Sequence, residues 1–450
     1  MTIIRENWRR VLAAAAAAAG MLLTAATASA AGNDLVIVTS FAPDQTKVFK
    51  DAFQKEHPDV NLNIINKGTA EGVKYLQETA SNNKTDLFWV SSPDAFEVLK
   101  DAKLLEKYKP AAMGDAKSIS GFPIDDPDGY FHGFALSGYG FMWNTRYLDS
   151  YKLPVPQTWD DLTKPIYFKH LGISSPSRSG TTHLEVETIL QGEGWNKGWA
   201  TVKRMAGNAA QISSRSFGVP EGVDSGEFGI GIVIDYFGFT SKAAGFPVEF
   251  HYPPGTTLVP ATIGVVANAP NPNAAHAFVD FVLSPAGQKL LFNPKVMRLP
   301  VNESVYKDAP AGIPNPFAGQ IKASVHFNSD LSQGRYNVVN SLYDVMITYR
   351  FSELQAAVKA IDDAQAALDK KPNPEAAKLL DEARSLAFGV PISDHEAGDH
   401  AFNAIFTVKH KKATDKATGR QAEVEKDWDA KTVANYAKAV ELAGKAKSMP

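Results

Sequence analysis

The sequence predicts an α/β protein of two lobes followed by a helical C-terminal extension. Three observations carry this reading. From Asp34 onward short apolar runs alternate with amphipathic helical stretches; a second series of the same kind runs from about Phe141 to Glu249; and after about residue 303 a three-and-four spacing of apolar residues takes over.

Residues 35–38 form an apolar run of strand length, and Pro43-Asp44 then opens a helix that gathers Val48, Phe49, Ala52 and Phe53 on one face. Residues 60–65 alternate as a second strand, 71–81 are helical, and 86–90 are a third strand. Strands separated by helices need crossover connections, so a parallel sheet is expected. In the second series, strands are expected at 171–174, 210–213 and 230–234, with an extended return over 258–267 and a helix over 273–283. The stretches 131–139 and 257–263, lying between the two series, are hinge candidates. Farther on, Phe351, Leu354, Val358, Ile361, Ala364 and Leu368 mark one apolar helix face, Pro372 and Pro374 break it, and helices follow over 375–386 and 427–447. These helices are expected to pack on the first lobe, with a docking surface for a partner as the alternative. The implied division is 31–135 with 265–345 as a discontinuous first lobe, 136–264 as the second, and 346–450 as the extension.

At 450 residues the chain is too long for one core, and 44% hydrophobic residues are too many for disorder. With 46 basic and 49 acidic side chains, there is no electrostatic footprint for nucleic acid. Cysteine is absent, which excludes disulfides, zinc-thiolate sites, iron-sulfur clusters, thiol nucleophiles and a lipidated N-terminal Cys. Residues 1–30 read as a signal peptide: Arg5, Arg9 and Arg10 are basic, 11–23 are apolar, and Ala28-Ser29-Ala30 offers a cleavage site. A periplasmic protein is expected.

Sheets of this kind bind ligands beyond the carboxyl ends of their strands, where helix N-termini present free N–H groups. Thr39-Ser40 and Ser91-Ser92 occupy two such positions in the first lobe. The second lobe offers Ser177, Arg178, Ser179, Gly180 and Thr181 after one strand and Ser214, Arg215 and Ser216 after the next. Hydroxyls, a glycine for close approach and an arginine at each loop suit an oxyanion. Asp235 and Tyr236 follow the 230–234 strand and could meet ligand hydroxyls; a buried Asp satisfied by backbone donors is the alternative. His183 reads as a packing or capping residue. The His395-Glu396-x-x-x-His400 spacing misses the zinc-protease pattern by one residue, Asp125, Asp126 and Asp128 form a turn, and Lys409–Lys412 form a solvated loop. No G-x-S-x-G, Walker A or G-x-G-x-x-G motif occurs.

The run Ser174 to Ser179 with His183-Leu184, then Gly194-Trp195 and Gly198-Trp199-Ala200-Thr201, then Ser213 to Val219, resembles the bacterial extracellular solute-binding proteins of the type II periplasmic-binding fold, a class that includes ferric-ion-binding and sugar-phosphate-binding proteins. The motifs are most similar to those of members tied to phosphoglycerate transport. The resemblance implies a cleft closing on a small phosphorylated or phosphonate-type anion, with Ser179, Gly180 and Thr181 as the anchoring loop and Ser214 to Ser216 as a second anion-facing turn. It implies an ABC permease or a sensor kinase's periplasmic domain as receiver, a monomer, no cofactor, no metal and no catalysis. Ferric-binding relatives use two adjacent tyrosines where this chain has Tyr236-Phe237, which makes iron transport the alternative, supported by Glu71, Asp235 and Tyr236.

Overall fold

The computed structural model describes residues 34–114, 116–406 and 417–449. The signal-peptide segment and the Lys409–Lys412 run lie outside the described residues. The main-sheet strands, with the small ribbon β4–β5, are, in chain order, β1 (Asp34–Thr39), β2 (Asn61–Asn66), β3 (Leu87–Val90), β4 (Ser118–Ile119), β5 (Phe122–Pro123), β6 (His132–Asn144), β7 (Leu171–Ser174), β8 (Ala209–Ser213), β9 (Ile230–Ile234), β10 (Val248–His251), β11 (Leu258–Val265) and β12 (Leu299–Pro300). The main sheet runs β2-β1-β3-β11-β6-β9-β7-β8, with β10 and β12 also on β6.

The order divides the sheet in two. β1 is parallel to β2 and β3 at one end, and β7 is parallel to β8 and β9 at the other, as helical crossovers require. Between them runs β6, whose residues up to Gly138 pair with β11 and whose residues from Tyr139 pair with β9 and β10. The lobes therefore meet where one strand changes partners. Thr256 ties that crossing: its hydroxyl donates to Tyr139 O at 2.6 Å and accepts from Tyr139 N–H at 3.3 Å. Both hinge candidates fall in or beside these strands.

Each lobe packs helices on the sheet. In the first, Leu35, Ile37 and Trp89 meet Phe49 and Phe53 of the helix Pro43–Glu56 and Phe278 of the helix Pro272–Leu283, while Val38, Phe88 and Val90 cover the other face with Val73, Leu76 and Phe96. Burying each large side chain contributes about 1.5–3 kcal/mol.

The described residues of the extension pack on the second lobe and not on the first. Its helix Phe351–Lys370 lies on the second-lobe helix Trp195–Gly207, and Leu354, Val358 and Ile361 join one core with Trp199, Val202 and Ala206. Gly207 permits the approach, since a Cβ there would sit 2.4 Å from Val358 Cγ2. Polar contacts fix the same face: Trp195 Nε1 donates to Ile392 O at 2.9 Å and Lys203 Nζ to Gly389 O at 2.8 Å. The chain returns to the second lobe earlier than expected, because Val338, Val339 and Leu342 of the helix Tyr336–Tyr343 already belong to its core. The last helix, Gly419–Ser448, begins before the apolar stripe that announced it and packs on the 351–370 and 374–388 helices.

Candidate binding cleft

Every parallel strand delivers a loop to one edge of the sheet, and there the lobes meet. β1 ends in Ser40 before the helix Pro43–Glu56; β3 ends in Ser91-Ser92 before the helix Asp94–Asp101; β7 leads through Ser177, Arg178 and Ser179 into the helix Gly180–Glu193; β8 leads through Ser214, Arg215 and Ser216 to the helix Gly218–Ser225. Two cavities share this edge. The outer one, of about 260 Å³, is lined by Gly68, Ala70, Glu71 and Lys74 of the first lobe and by Ser177, Arg178, Ser214 and Arg215 of the second. The inner one, of about 10 Å³, holds at most one water; Ser40, Ser91, Ser179, Thr181, Ser216 and Tyr236 wall it with Phe41, Thr69 and Phe237. Arg178 and Arg215 line both.

The hydroxyls of Ser91 and Thr181 meet across the lobes at 3.2 Å. Ser179 caps its helix, accepting from Thr182 N–H at 3.3 Å. Among the described residues, Arg178 Nε has no hydrogen-bond partner. The Arg215 guanidinium lies 5.1 Å from the Phe217 ring centroid; burial lowers its pKa, and the charge of Glu71 opposes that. A half-buried cation at the wall of both cavities suits an anionic guest.

Ten of the thirteen residues singled out from the sequence line one cavity or both, and three do not. Asp235 is fully buried: it accepts from Gly138 N–H, Tyr236 N–H and Tyr252 O–H, each at 2.8 Å. Burial pushes its pKa up to about 6, against these donors and the nearby Arg298 charge. It organises the crossing of β6 and leaves no oxygen facing the cleft. Ser92 is spent on Asp94, to which its hydroxyl donates. Gly180 is a contact between lobes: a Cβ there would lie 2.8 Å from Thr69 Oγ1 and 2.9 Å from Ser92 Cβ.

Sequence reasoning missed the Gly68-Thr69 loop after β2, Lys74, and Arg298. Arg298 is fully buried, its guanidinium carbon 3.8 Å from the Tyr236 ring centroid and 4.5 Å from that of Phe41. A lone arginine inside the apolar run 296–301 was the available signal. Burial raises the Tyr236 pKa, against the pull of the Arg298 charge, and a cation stacked on the ring does not suit a metal ion as guest. Among the described residues, no three His, Asp or Glu side chains cluster so as to hold a metal.

The family model described as bacterial extracellular solute-binding protein matches residues 82–323. The chain is also 32% identical over 384 residues to the phosphoglycerate transport regulatory protein PgtC of Salmonella typhimurium, covering 84% of this chain and 90% of that one. The chain belongs to the bacterial extracellular solute-binding proteins. Solved structures of similar fold include the periplasmic binding protein AfuA from Actinobacillus pleuropneumoniae with exogenous fructose-6-phosphate bound, at a TM-score of 0.61 and 22% identity over 70% of this chain and 98% of that one. Iron-bound HitA from Pseudomonas aeruginosa has a TM-score of 0.54 and 19% identity over 63% of this chain and 90% of that one. As in those folds, this solute-binding protein has two α/β lobes, and its helical C-terminal region adds to them. Among the described residues, no helix is long and apolar enough to cross a membrane.

Proposed function

We propose that the protein captures a small phosphorylated or phosphonate-type anion between its lobes in the periplasm and delivers it to an ABC importer or presents it to a sensor kinase. The observation that carries this reading is the pair Arg178 and Arg215, walling both the hydroxyl-lined inner cavity and the outer one. The phosphoryl group would lie in the outer cavity against the two guanidinium groups, and its oxygens would accept from Ser40, Ser179 and Ser216 once the contact between Ser91 and Thr181 parts and the inner cavity widens. The carbon body would extend past Ser177 and Ser214 towards Glu71 and Lys74. In this scheme residues 34–135 and 265–334 move as one body and 136–264 with 335–449 as the other. The names of PgtC, tied to phosphoglycerate transport, and of AfuA, solved with a sugar phosphate, support the same ligand class.

Binding without catalysis is the consistent reading. A serine nucleophile is exposed to substrate and donates its proton to a base, whereas Ser332, the hydroxyl beside His183 Nε2, is fully buried with that histidine and donates to Asp94. The arginine-stacked Tyr236 argues against iron. Calorimetry of the purified protein with 3-phosphoglycerate, glucose 6-phosphate and ferric citrate tests the assignment: heat from a phosphate ester supports it, and heat from ferric citrate alone refutes it.

A further inference from the structure

A buried polar cluster beside the cavities joins the lobes, and anion binding gives it no task. Asp94, fully buried, opens its helix directly after the Ser91-Ser92-Pro93 turn. One of its oxygens accepts from Ser92; the other accepts from Ser332 Oγ at 2.9 Å and lies 3.3 Å from His183 Nε2. His183 stands one turn into the second-lobe helix that Ser179 caps, its Nδ1 2.8 Å from Asn340 Oδ1 and its Nε2 3.1 Å from Ser332 Oγ. Ser332 and Asn340 belong to a segment beyond the stretch that the family model matches. That segment is tied to the second lobe, where Arg335 donates twice to Glu187 at 2.9 Å, and it reaches the first lobe again through Gln333 Nε2 and Asp101 Oδ2 at 2.6 Å.

We propose that Asp94, His183 and Ser332 are positioning residues: a latch across the cleft that sets the Ser91-Ser92 turn against the Ser179–Thr181 turn as the lobes close. The physical reason is register. In an open cleft water solvates both charges, and closure in this one register pairs them. Closure in any other register buries a charge without its partner, which costs more than a formed pair contributes. Asn340 holds His183 on the second lobe, while Ser332 stands on a short helix, Ser329–Gly334, that packs along the Asp94–Asp101 helix, so the contacts made on closure are those of His183 Nε2 with Asp94 and Ser332. The inference rests on lobe closure and not on the identity of the ligand.

The absence of cysteine makes closure measurable. Ser91 and Thr181, whose hydroxyls are 3.2 Å apart here, become a disulfide trap in the ligand-free full chain carrying Ser91→Cys and Thr181→Cys. Its rate of formation under a fixed glutathione poise reports how often the closed register is visited. Adding Ser332→Ala should slow trapping roughly ten-fold, the effect of one charged hydrogen bond. Asp94→Asn should slow it further, and Ser332→Thr should restore it. Trapping unchanged by both Ser332→Ala and Asp94→Asn overturns the proposal. So does a lowered melting temperature with unchanged trapping, the pattern of a purely structural cluster. Because the trap needs no ligand, failure to bind phosphate esters would refute the functional reading and leave this comparison valid.

Discussion

One buried guanidinium, that of Arg298, is held between a ring from each lobe: Tyr236 with its centroid at 3.8 Å and Phe41 at 4.5 Å. Both rings wall the inner cavity, so a cation lies directly behind the hydroxyls that face it. Its Nε and one terminal nitrogen have no hydrogen-bond partner among the described residues, and the aromatic faces are its main compensation for lost water. Arg298→Lys keeps the charge and loses the plane that fits between the rings. It should lower stability by about 2 kcal/mol, read as a shift of the urea midpoint; an unmoved midpoint would mean the stack contributes nothing.

Gly180 separates folding from closure. A Cβ there would strike Thr69 and Ser92 of the other lobe, so Gly180→Ala should weaken ligand binding roughly ten-fold by overpacking the closed interface. The melting temperature of the ligand-free protein should barely change. A loss of ligand-free stability with intact affinity would place the clash within one lobe.

The docking of the extension depends on a missing methyl. Gly207→Ala drives a Cβ into Val358 and should destabilise the protein by about 1–3 kcal/mol. Combining it with Val358→Ala should recover part of that loss, as a double-mutant cycle by denaturant melting would show. Strict additivity of the two losses would indicate that the helices do not meet there.

Asp94 and His183 should give the closed state a pH window. Burial opposes both charges, but the hydrogen bond and charge of each outweigh it for the other, with Ser92 and Ser332 helping Asp94 and Glu187 and Asn340 helping His183. His183 is thereby held above its ordinary 6.5 and Asp94 below its ordinary 3.8. The histidine contribution is complete below pH 6.5 and is lost as pH rises through the folded value; the aspartate contribution is complete above pH 3.8 and is lost as pH falls through the folded value. The latch is therefore strongest between those limits. Arg335, paired with Glu187, faces the same cluster, and burial keeps the adjoining Tyr336 phenol protonated. Lys203 works in the opposite sense, since burial pushes its pKa down to about 7 and its cost falls as pH rises. Comparing ligand-saturated wild type with His183→Gln cancels Lys203. The difference in melting temperature should be full below pH 6.5 and shrink as pH rises above it; a constant difference would show that His183 does not titrate there.

The strand ends were legible because their information is local. A short apolar run followed by Ser, Gly or Arg and a helix start is written in consecutive residues, and the alternation of strand and helix implies that such loops share an edge. The Gly68-Thr69 loop carries the same signal in weaker form and escaped notice for want of a serine pair. Asp235 was ambiguous because its decisive partners, Gly138 and Tyr252, are distant in sequence and come together only when β6 crosses. The stripe from Phe351 to Leu368 announced that the helix is buried on one side but not against what; the identity of its partner rests on Gly207 and the Trp195–Gly207 helix.

The most direct test of anion capture at Arg178 and Arg215 is calorimetric titration of wild type, Arg215→Ala and Tyr236→Phe with 3-phosphoglycerate, glucose 6-phosphate and ferric citrate. A phosphate ester should bind the wild type, and Arg215→Ala should weaken it by about 1.5–3 kcal/mol, roughly ten-fold or more. Tyr236→Phe should change it far less. Iron binding abolished by Tyr236→Phe, with no heat from either phosphate ester, would contradict the account.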